Sequence, residues 1–167
     1  MNIRPEQIGD YDQVYQVQTA AFGKTAEANL VNQLRQMAQP LISLIAESDA
    51  QIIGHVMFSP VTLPPHDGLN LMGLGPVAVS PTWQKQGIGR DLINAGLSIC
   101  QDMGIDAVAV LGHPSYYPRF GFVPSVQFGI KSQYDVPDDV FMMMELNQHS
   151  LAGKNGTIYY HDAFQTV

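Results

Sequence analysis

The sequence predicts an α/β fold of the α+β kind, a mixed sheet carrying helices on both faces, and three observations predict it. Periodic segments fall in the order strand, two helices, three strands of antiparallel pattern, helix, strand, short helix and closing strands. A continuous apolar run, Ala107–Leu111, follows directly on an amphipathic helix, the pattern of a strand buried on both faces in a βαβ-like unit. The chain has 167 residues, 46% hydrophobic and 14% charged, which is enough for one well-buried core and short for two. A single domain over 1–167 is therefore expected.

Taking the elements in order, a first strand is expected over residues 1–5. Tyr11, Val14, Tyr15, Val17, Ala21 and Phe22 then recur at helical spacing, with Asp10 and Gln13 in the positions of a capping box. A second helix is expected over 25–37, burying Leu30, Val31, Leu34 and Met37, with Pro40 closing it. Two β-rich runs, 41–47 and 52–61, flank Ser48-Asp49-Ala50-Gln51 and read as a hairpin. Pro64-Pro65-His66-Asp67-Gly68 makes a further turn before strand signal resumes over 69–79. A helix follows over 87–103, turning Ile88, Leu92, Ile93, Leu97, Ile99, Cys100 and Met103 to the core, and Gly104 stops it. Residues 123–139 read as loop, and 140–146 with 157–161 as closing strands.

Composition excludes several function classes. A formal charge of −7, with only 8 lysines and arginines, does not suit a binder of duplex nucleic acid, whose affinity rests on neutralising phosphates. Met1-Asn2-Ile3-Arg4-Pro5-Glu6 holds no leader-like apolar run, and no segment approaches ~18 uninterrupted apolar residues, so a cytoplasmic protein away from membranes is expected. Cys100 is the one cysteine, which rules out an internal disulfide framework, and its place on an apolar helix face argues against a nucleophile. The five histidines have no metal-ligand spacing, so no metal is expected.

Chemistry enters at Val77-Ala78-Val79-Ser80-Pro81-Thr82-Trp83-Gln84-Lys85-Gln86-Gly87-Ile88-Gly89-Arg90, a strand passing through a turn into a helix. The first N–H groups of a helix lack internal acceptors and lie at the positive end of its dipole, so an anion can accept several of them. Gly87 and Gly89 remove the side chains that would hold a phosphate off. The pattern Q-x-x-G-x-G in this setting resembles the acyl-coenzyme A pyrophosphate loop of the GNAT superfamily of N-acetyltransferases. That resemblance implies acetyl-CoA as co-substrate. It places the pyrophosphate on the backbone of Gln84, Lys85, Gln86, Gly87, Ile88 and Gly89, brings Lys85 or Arg90 to a phosphate, and pairs Val77, Ala78 and Val79 with the pantetheine arm. It also implies a mostly antiparallel central sheet in which a bulge near Gly75-Pro76 splays two strands to open the acetyl-CoA cleft. Gly73-Leu74-Gly75-Pro76-Val77-Ala78 formally fits a dinucleotide fingerprint, but its glycines lie inside a β-rich run rather than opening a helix.

A second segment, Val110-Leu111-Gly112-His113-Pro114-Ser115-Tyr116-Tyr117-Pro118-Arg119-Phe120-Gly121-Phe122, is similar to the GNAT segment that packs on the thiol end of coenzyme A. The resemblance puts Tyr117 beside the sulfur and His113 near the pantetheine, where many relatives have asparagine or aspartate. A phenol there serves as the general acid that protonates the departing thiolate, while the Val79 N–H stabilises the oxyanion. The attacking amine must first lose a proton. His55, alternating away from Ile52, Val56 and Phe58 and expected to face the cleft, and Glu27 are candidate bases; Glu47 or a water chain are alternatives. Leu44-Ile45-Ala46-Glu47, Gly54-His55-Val56 and the ending Gly156-Thr157-Ile158-Tyr159-Tyr160-His161-Asp162-Ala163-Phe164 further resemble the YhbS-like branch. The function so implied is direct transfer of the acetyl group to a small-molecule or protein amine in a ternary complex, by a monomer or homodimer. A non-catalytic acyl-CoA-binding regulatory module is the alternative.

Overall fold

Nine strands and three α-helices make up the computed structural model, which describes all residues, Met1–Val167, in two units. The first unit comprises Met1–Ser59, Gly75–Ile99 and Asp162–Val167. It holds β1 (Asn2–Pro5), α1 (Tyr11–Phe22), α2 (Ala26–Met37), β2 (Ile42–Ser48), most of β3 (Gln51–Val61), the end of β4 (Leu71–Val79) and most of α3 (Ile88–Asp102), with strands in the order β1-β2-β3-β4. β1 pairs antiparallel with β2, from Asn2↔Glu47 to Pro5↔Leu44, and β2 with β3, from Ile42↔Phe58 to Ser48↔Gln51. The hairpin closes through Asp49 and Ala50, both left-handed at φ 50° and 65°, the twist that matches two antiparallel strands.

Strand alternation explains why this unit carries helices on both faces. Met57 and Ile45 join Val14, Leu30, Val31 and Leu34 of α1 and α2 in one buried cluster. Phe58, one residue on, turns to the other face, where its ring fills the space a side chain at Gly96 of α3 would need; a Cβ there would lie 2.1 Å away. Three details differ from expectation. Asp10 does not cap α1 with its side chain. It accepts the Gln7 N–H and ion-pairs with Arg4 at 2.7 Å, while Gln13 accepts the Ile52 N–H of β3. Met37 is 63% exposed, because the buried stripe of α2 continues from Val31 and Leu34 to Ala38 just past the helix. Met103 falls beyond the end of α3, which stops at Asp102 before Gly104 (φ 78°), and is 43% exposed.

The second unit comprises Pro60–Leu74 and Cys100–His161. It holds the start of β4, β5 (Ala107–Leu111), β6 (Val123–Pro124), β7 (Ile130–Ser132), β8 (Phe141–Glu145) and β9 (Gly156–Ile158), with the order β4-β5-β8-β6. β4 and β5 run parallel, as a helical crossover requires, and β5 pairs antiparallel with β8 from Ala107↔Glu145 to Leu111↔Phe141. Residues 123–139, expected to be loop, contain β6, a 3-10 turn at Ser125–Phe128 and β7. β9 does not extend the main sheet as a closing strand. It pairs parallel with β7 in a separate two-stranded ribbon, from Ile130↔Gly156 to Ser132↔Ile158. Strands of two or three residues are too short for period-two alternation to declare itself.

The mixed, mostly antiparallel sheet is thus present, and the ladder between β4 and β5 is short. The β4 and β5 pairing runs from Leu71↔Ala107 to Leu74↔Val110 and stops there. Gly75 takes φ 139°, a value that favours glycine, and Pro76 has no N–H to donate, so β4 continues to Val79 without a β5 partner. No helix is long and apolar enough to cross a membrane.

Candidate functional site

In the first unit, β4 ends at Val79 and a 3-10 turn, Pro81–Trp83, redirects the chain. The Ser80 N–H donates to the Ile53 carbonyl (2.8 Å) and the Gln84 side-chain amide to the Val79 carbonyl (3.0 Å), which tie the strand end to the loop. Lys85 and Gly87 are both left-handed, at φ 64° and 86°, a backbone that turns successive N–H groups to one side. The first bond of α3 runs from the Asp91 N–H to the Gly87 carbonyl at 3.0 Å, so the N–H groups of Ile88, Gly89 and Arg90 precede it and have no intrahelical acceptor. A Cβ on Gly87 would stand 2.7 Å from Arg90 Nη2, so the guanidinium lies over the bare backbone of the loop. Gln84, Lys85, Gln86 and Arg90 are exposed, and Val77 and Val79 are half-buried on either side of buried Ala78. This cradle fits a diphosphate: open N–H groups, a helix dipole and the exposed Arg90 guanidinium, 3.2 Å from Asp91, beside a position where a side chain does not fit.

In the second unit, Tyr117 lies just past the end of β5. Its ring meets Tyr116 (centroids 5.1 Å, 89°) and Phe122 (5.9 Å, 84°) edge to face and occupies the space beside Gly112, where a Cβ would be 2.1 Å from it. Burial, and after it the neighbouring Tyr116, push the Tyr117 phenol up to about 12, so it holds its proton at every physiological pH. His113 is exposed; its carbonyl, not its imidazole, closes the turn by accepting the Tyr116 N–H at 3.1 Å.

His55 does not face a cleft. It is 0% exposed, with Gln18 Nε2 at 2.8 Å from Nδ1 and Ser43 Oγ at 2.8 Å from Nε2. Ser43 gives its own proton to Glu6 (2.8 Å), so it accepts from the Nε2–H, and Nδ1 accepts from Gln18. Glu6 in turn pairs with Arg35. Burial, with the Arg35 charge second, pushes the imidazole down to about 3; it is a neutral strut of the core. Glu47 is committed as well, to Arg4 (3.1 Å) and Asn2, and Arg4 above all holds it below the usual carboxylate range. Glu27 differs. Its side chain is only 12% exposed, Oε2 meets Lys24 at 3.4 Å, and Oε1 is buried with no partner. The Cys100 thiol is buried and pushed up to about 12, away from the thiolate a nucleophile needs. No cluster of three or more His, Cys, Asp or Glu stands where it could hold a metal ion.

In the second unit a cavity of about 320 Å³ lies between Ser125 and Phe141, along the stretch that reads as loop from sequence, and includes Lys131, Tyr134, Asp135 and Asp138. Phe141 pairs with Leu111 and the Gly112 N–H donates to Val140, so cavity and Tyr117 lie at the same end of β5. Tyr160, tilted against Tyr134 and edge to face with Phe141, lies over Gly73 of β4, just before the pairing with β5 stops.

Comparison with known proteins gives a consistent set. Residues 2–124 match the family model described as an acetyltransferase (GNAT) domain. The chain is 34% identical over 145 residues to the uncharacterised N-acetyltransferase YhbS of Escherichia coli strain K12, covering 86% of each, and 37% identical over 134 residues to YjhQ of the same strain, covering 78% of this chain and 74% of YjhQ. The solved structure of E. coli YhbS in complex with CoA superposes with a TM-score of 0.92 at 32% identity, over 98% of this chain and 91% of that one. A Brucella melitensis acetyltransferase in complex with acetyl-CoA superposes with a TM-score of 0.80 at 33% identity, over 98% and 97%.

Proposed function

The chain belongs to the GNAT acetyltransferase family, and from that premise we propose that it moves the acetyl group of acetyl-CoA directly to an amine in a ternary complex. The observation that carries the donor half is the loop 84–89, whose glycine Gly87 lies under Arg90 and whose N–H groups open α3. Its likeness to relatives solved with CoA and acetyl-CoA supports reading that loop as the diphosphate seat. When bound, acetyl-CoA supplies an activated thioester and a thiolate leaving group.

The chain's own groups then have separate roles. Gln84, Lys85, Gln86, Gly87, Ile88 and Gly89 hold the diphosphate by backbone, Arg90 adds a charge, and Val77, Ala78 and Val79 align the pantetheine as an added strand. The Val79 N–H donates to the carbonyl oxygen as charge gathers there. Glu27 accepts the proton that the acceptor ammonium must lose, directly or through a water, because among the candidate bases it alone keeps an uncommitted carboxylate oxygen. Once the C–N bond has formed, Tyr117 gives its proton to sulfur as the C–S bond breaks, and the second proton lost by the acetylated nitrogen passes through water to restore the phenol.

A phenol at about 12 is a poor acid toward a thiol in water, near ~8.5. Burial works against that mismatch, because a sulfur enclosed beside the ring is shifted in the same direction as the phenol. The test is thiol release from acetyl-CoA with a panel of amines, alongside calorimetric titration with acetyl-CoA. Release that depends on an amine supports the enzyme; tight binding without release to any amine, peptide or protein acceptor supports the non-catalytic module instead.

A further inference from the structure

We infer that the cavity between Ser125 and Phe141 is the acceptor pocket and that it selects a small zwitterionic amine, one bearing both an ammonium and an acidic group; this rests on the acetyl-transfer reading above. The volume, about 320 Å³, sits at the small end of the range for metabolite sites, ~300–1,000 Å³. What decides the class is the balance of uncommitted groups on its walls. Lys131, Asp135 and Asp138 all line it, yet no ion pair within 4.0 Å joins the lysine to either acid. Opposite charges that share a cavity without neutralising each other leave both signs available to a bridging ligand.

The neutral groups sort the same way. The Tyr134 ring lines the cavity, while its hydroxyl is buried without a hydrogen-bond partner. Gln133 accepts the Tyr160 N–H on its side-chain oxygen at 2.6 Å and presents its amide N–H groups as donors. Lys131 and the Gln133 amide are therefore donors for a carboxylate or phosphate, and Asp135 with Asp138 are acceptors for an ammonium. A lysine side chain of a protein would satisfy the two acids and leave Lys131 and Gln133 unmatched.

The test compares acetyl-CoA-dependent thiol release with each protein amino acid, its methyl ester and a lysine-containing peptide, in native protein, Lys131→Gln and Asp135→Asn/Asp138→Asn. Binding of the same probes to the CoA-loaded protein is followed by saturation-transfer NMR. The expected result is an amino acid preferred over its ester by at least about tenfold in kcat/KM, a preference that Lys131→Gln abolishes while the KM for acetyl-CoA stays constant. The Asp pair substitution should weaken amino acid and ester alike. Acetylation of the peptide or the esters at equal or better efficiency overturns the zwitterion inference and leaves acetyl transfer standing. Absence of release with every amine overturns both. Native selectivity preserved in Lys131→Gln overturns the placement of the pocket.

Discussion

A β-carbon on Gly112 would stand 2.1 Å from the Tyr117 ring, so the residue that follows β5 and the proposed acid form one steric unit. Gly112→Ala must displace the ring. Because a misplacement of about 1 Å costs on the order of 10²-fold in rate, kcat should fall by about that factor, with overpacking lowering stability by about 1–3 kcal/mol and the KM for acetyl-CoA nearly constant. Steady-state kinetics with thermal melts check this; an unchanged kcat would separate the ring's position from catalysis.

Tyr117→Phe keeps the edge-to-face packing on Tyr116 and Phe122 and removes only the proton. We expect kcat to drop about 10²-fold with little change in melting temperature or acetyl-CoA affinity. The native pH profile carries a second expectation. An acid is active while protonated, and this phenol is pushed to about 12, so activity should not decline through the ordinary tyrosine range near 10. A decline centred at pH 10 that vanishes in Tyr117→Phe would contradict the burial argument.

His55 makes the protein acid-labile. Its imidazole stays neutral in the folded state down to about pH 3 but titrates at 6.5 when exposed. Between those values the unfolded chain binds the extra proton, so this contribution is complete above about pH 6.5 and shrinks by up to about 1.4 kcal/mol for each unit of pH below it. Asp10 and Glu47, both held low chiefly by Arg4, add to the loss further into acid. Melts between pH 7.5 and 4.5 should show a falling midpoint, and His55→Gln should be less stable at neutral pH but flatter across the range. An equally steep His55→Gln curve would place the acid sensitivity elsewhere.

Gly87 combines φ 86° with the overlying Arg90 guanidinium. In Gly87→Ala the left-handed backbone costs about 1–2 kcal/mol and the new methyl intrudes on the phosphate seat. Acetyl-CoA affinity by calorimetry should weaken about tenfold or more. Unaltered affinity would move the diphosphate away from this loop.

The two motifs were legible because their chemistry is local: a glycine loop opening a helix, and an aromatic run after a strand, declare themselves within a dozen residues. The hairpin and β5 were legible for the same reason. His55 was not. Alternation correctly put it on the face opposite Val56 and Phe58, but that face is covered by α1, and nothing near His55 in sequence announces that Gln18, thirty-seven residues earlier, will close over it. His55 was misjudged as a base because burial depends on partners from distant segments, which also explains how Met37 and Ala38 exchanged roles. The cavity around Lys131 and Tyr134 was illegible because β7, which gives its wall Lys131 and Ser132, is three residues long, too short for alternation to show which side each residue faces.

Direct transfer is tested most sharply by following acetyl-CoA labelled with 13C in the acetyl group, with intact-protein and small-molecule mass spectrometry before and after adding amines. The account predicts unlabelled protein at every time point, label appearing on the amine nitrogen only when protein and amine are both present, and loss of that product in Tyr117→Phe by about 10²-fold. Label accumulating on a side chain of the protein, or none reaching any amine despite saturable acetyl-CoA binding, would contradict it.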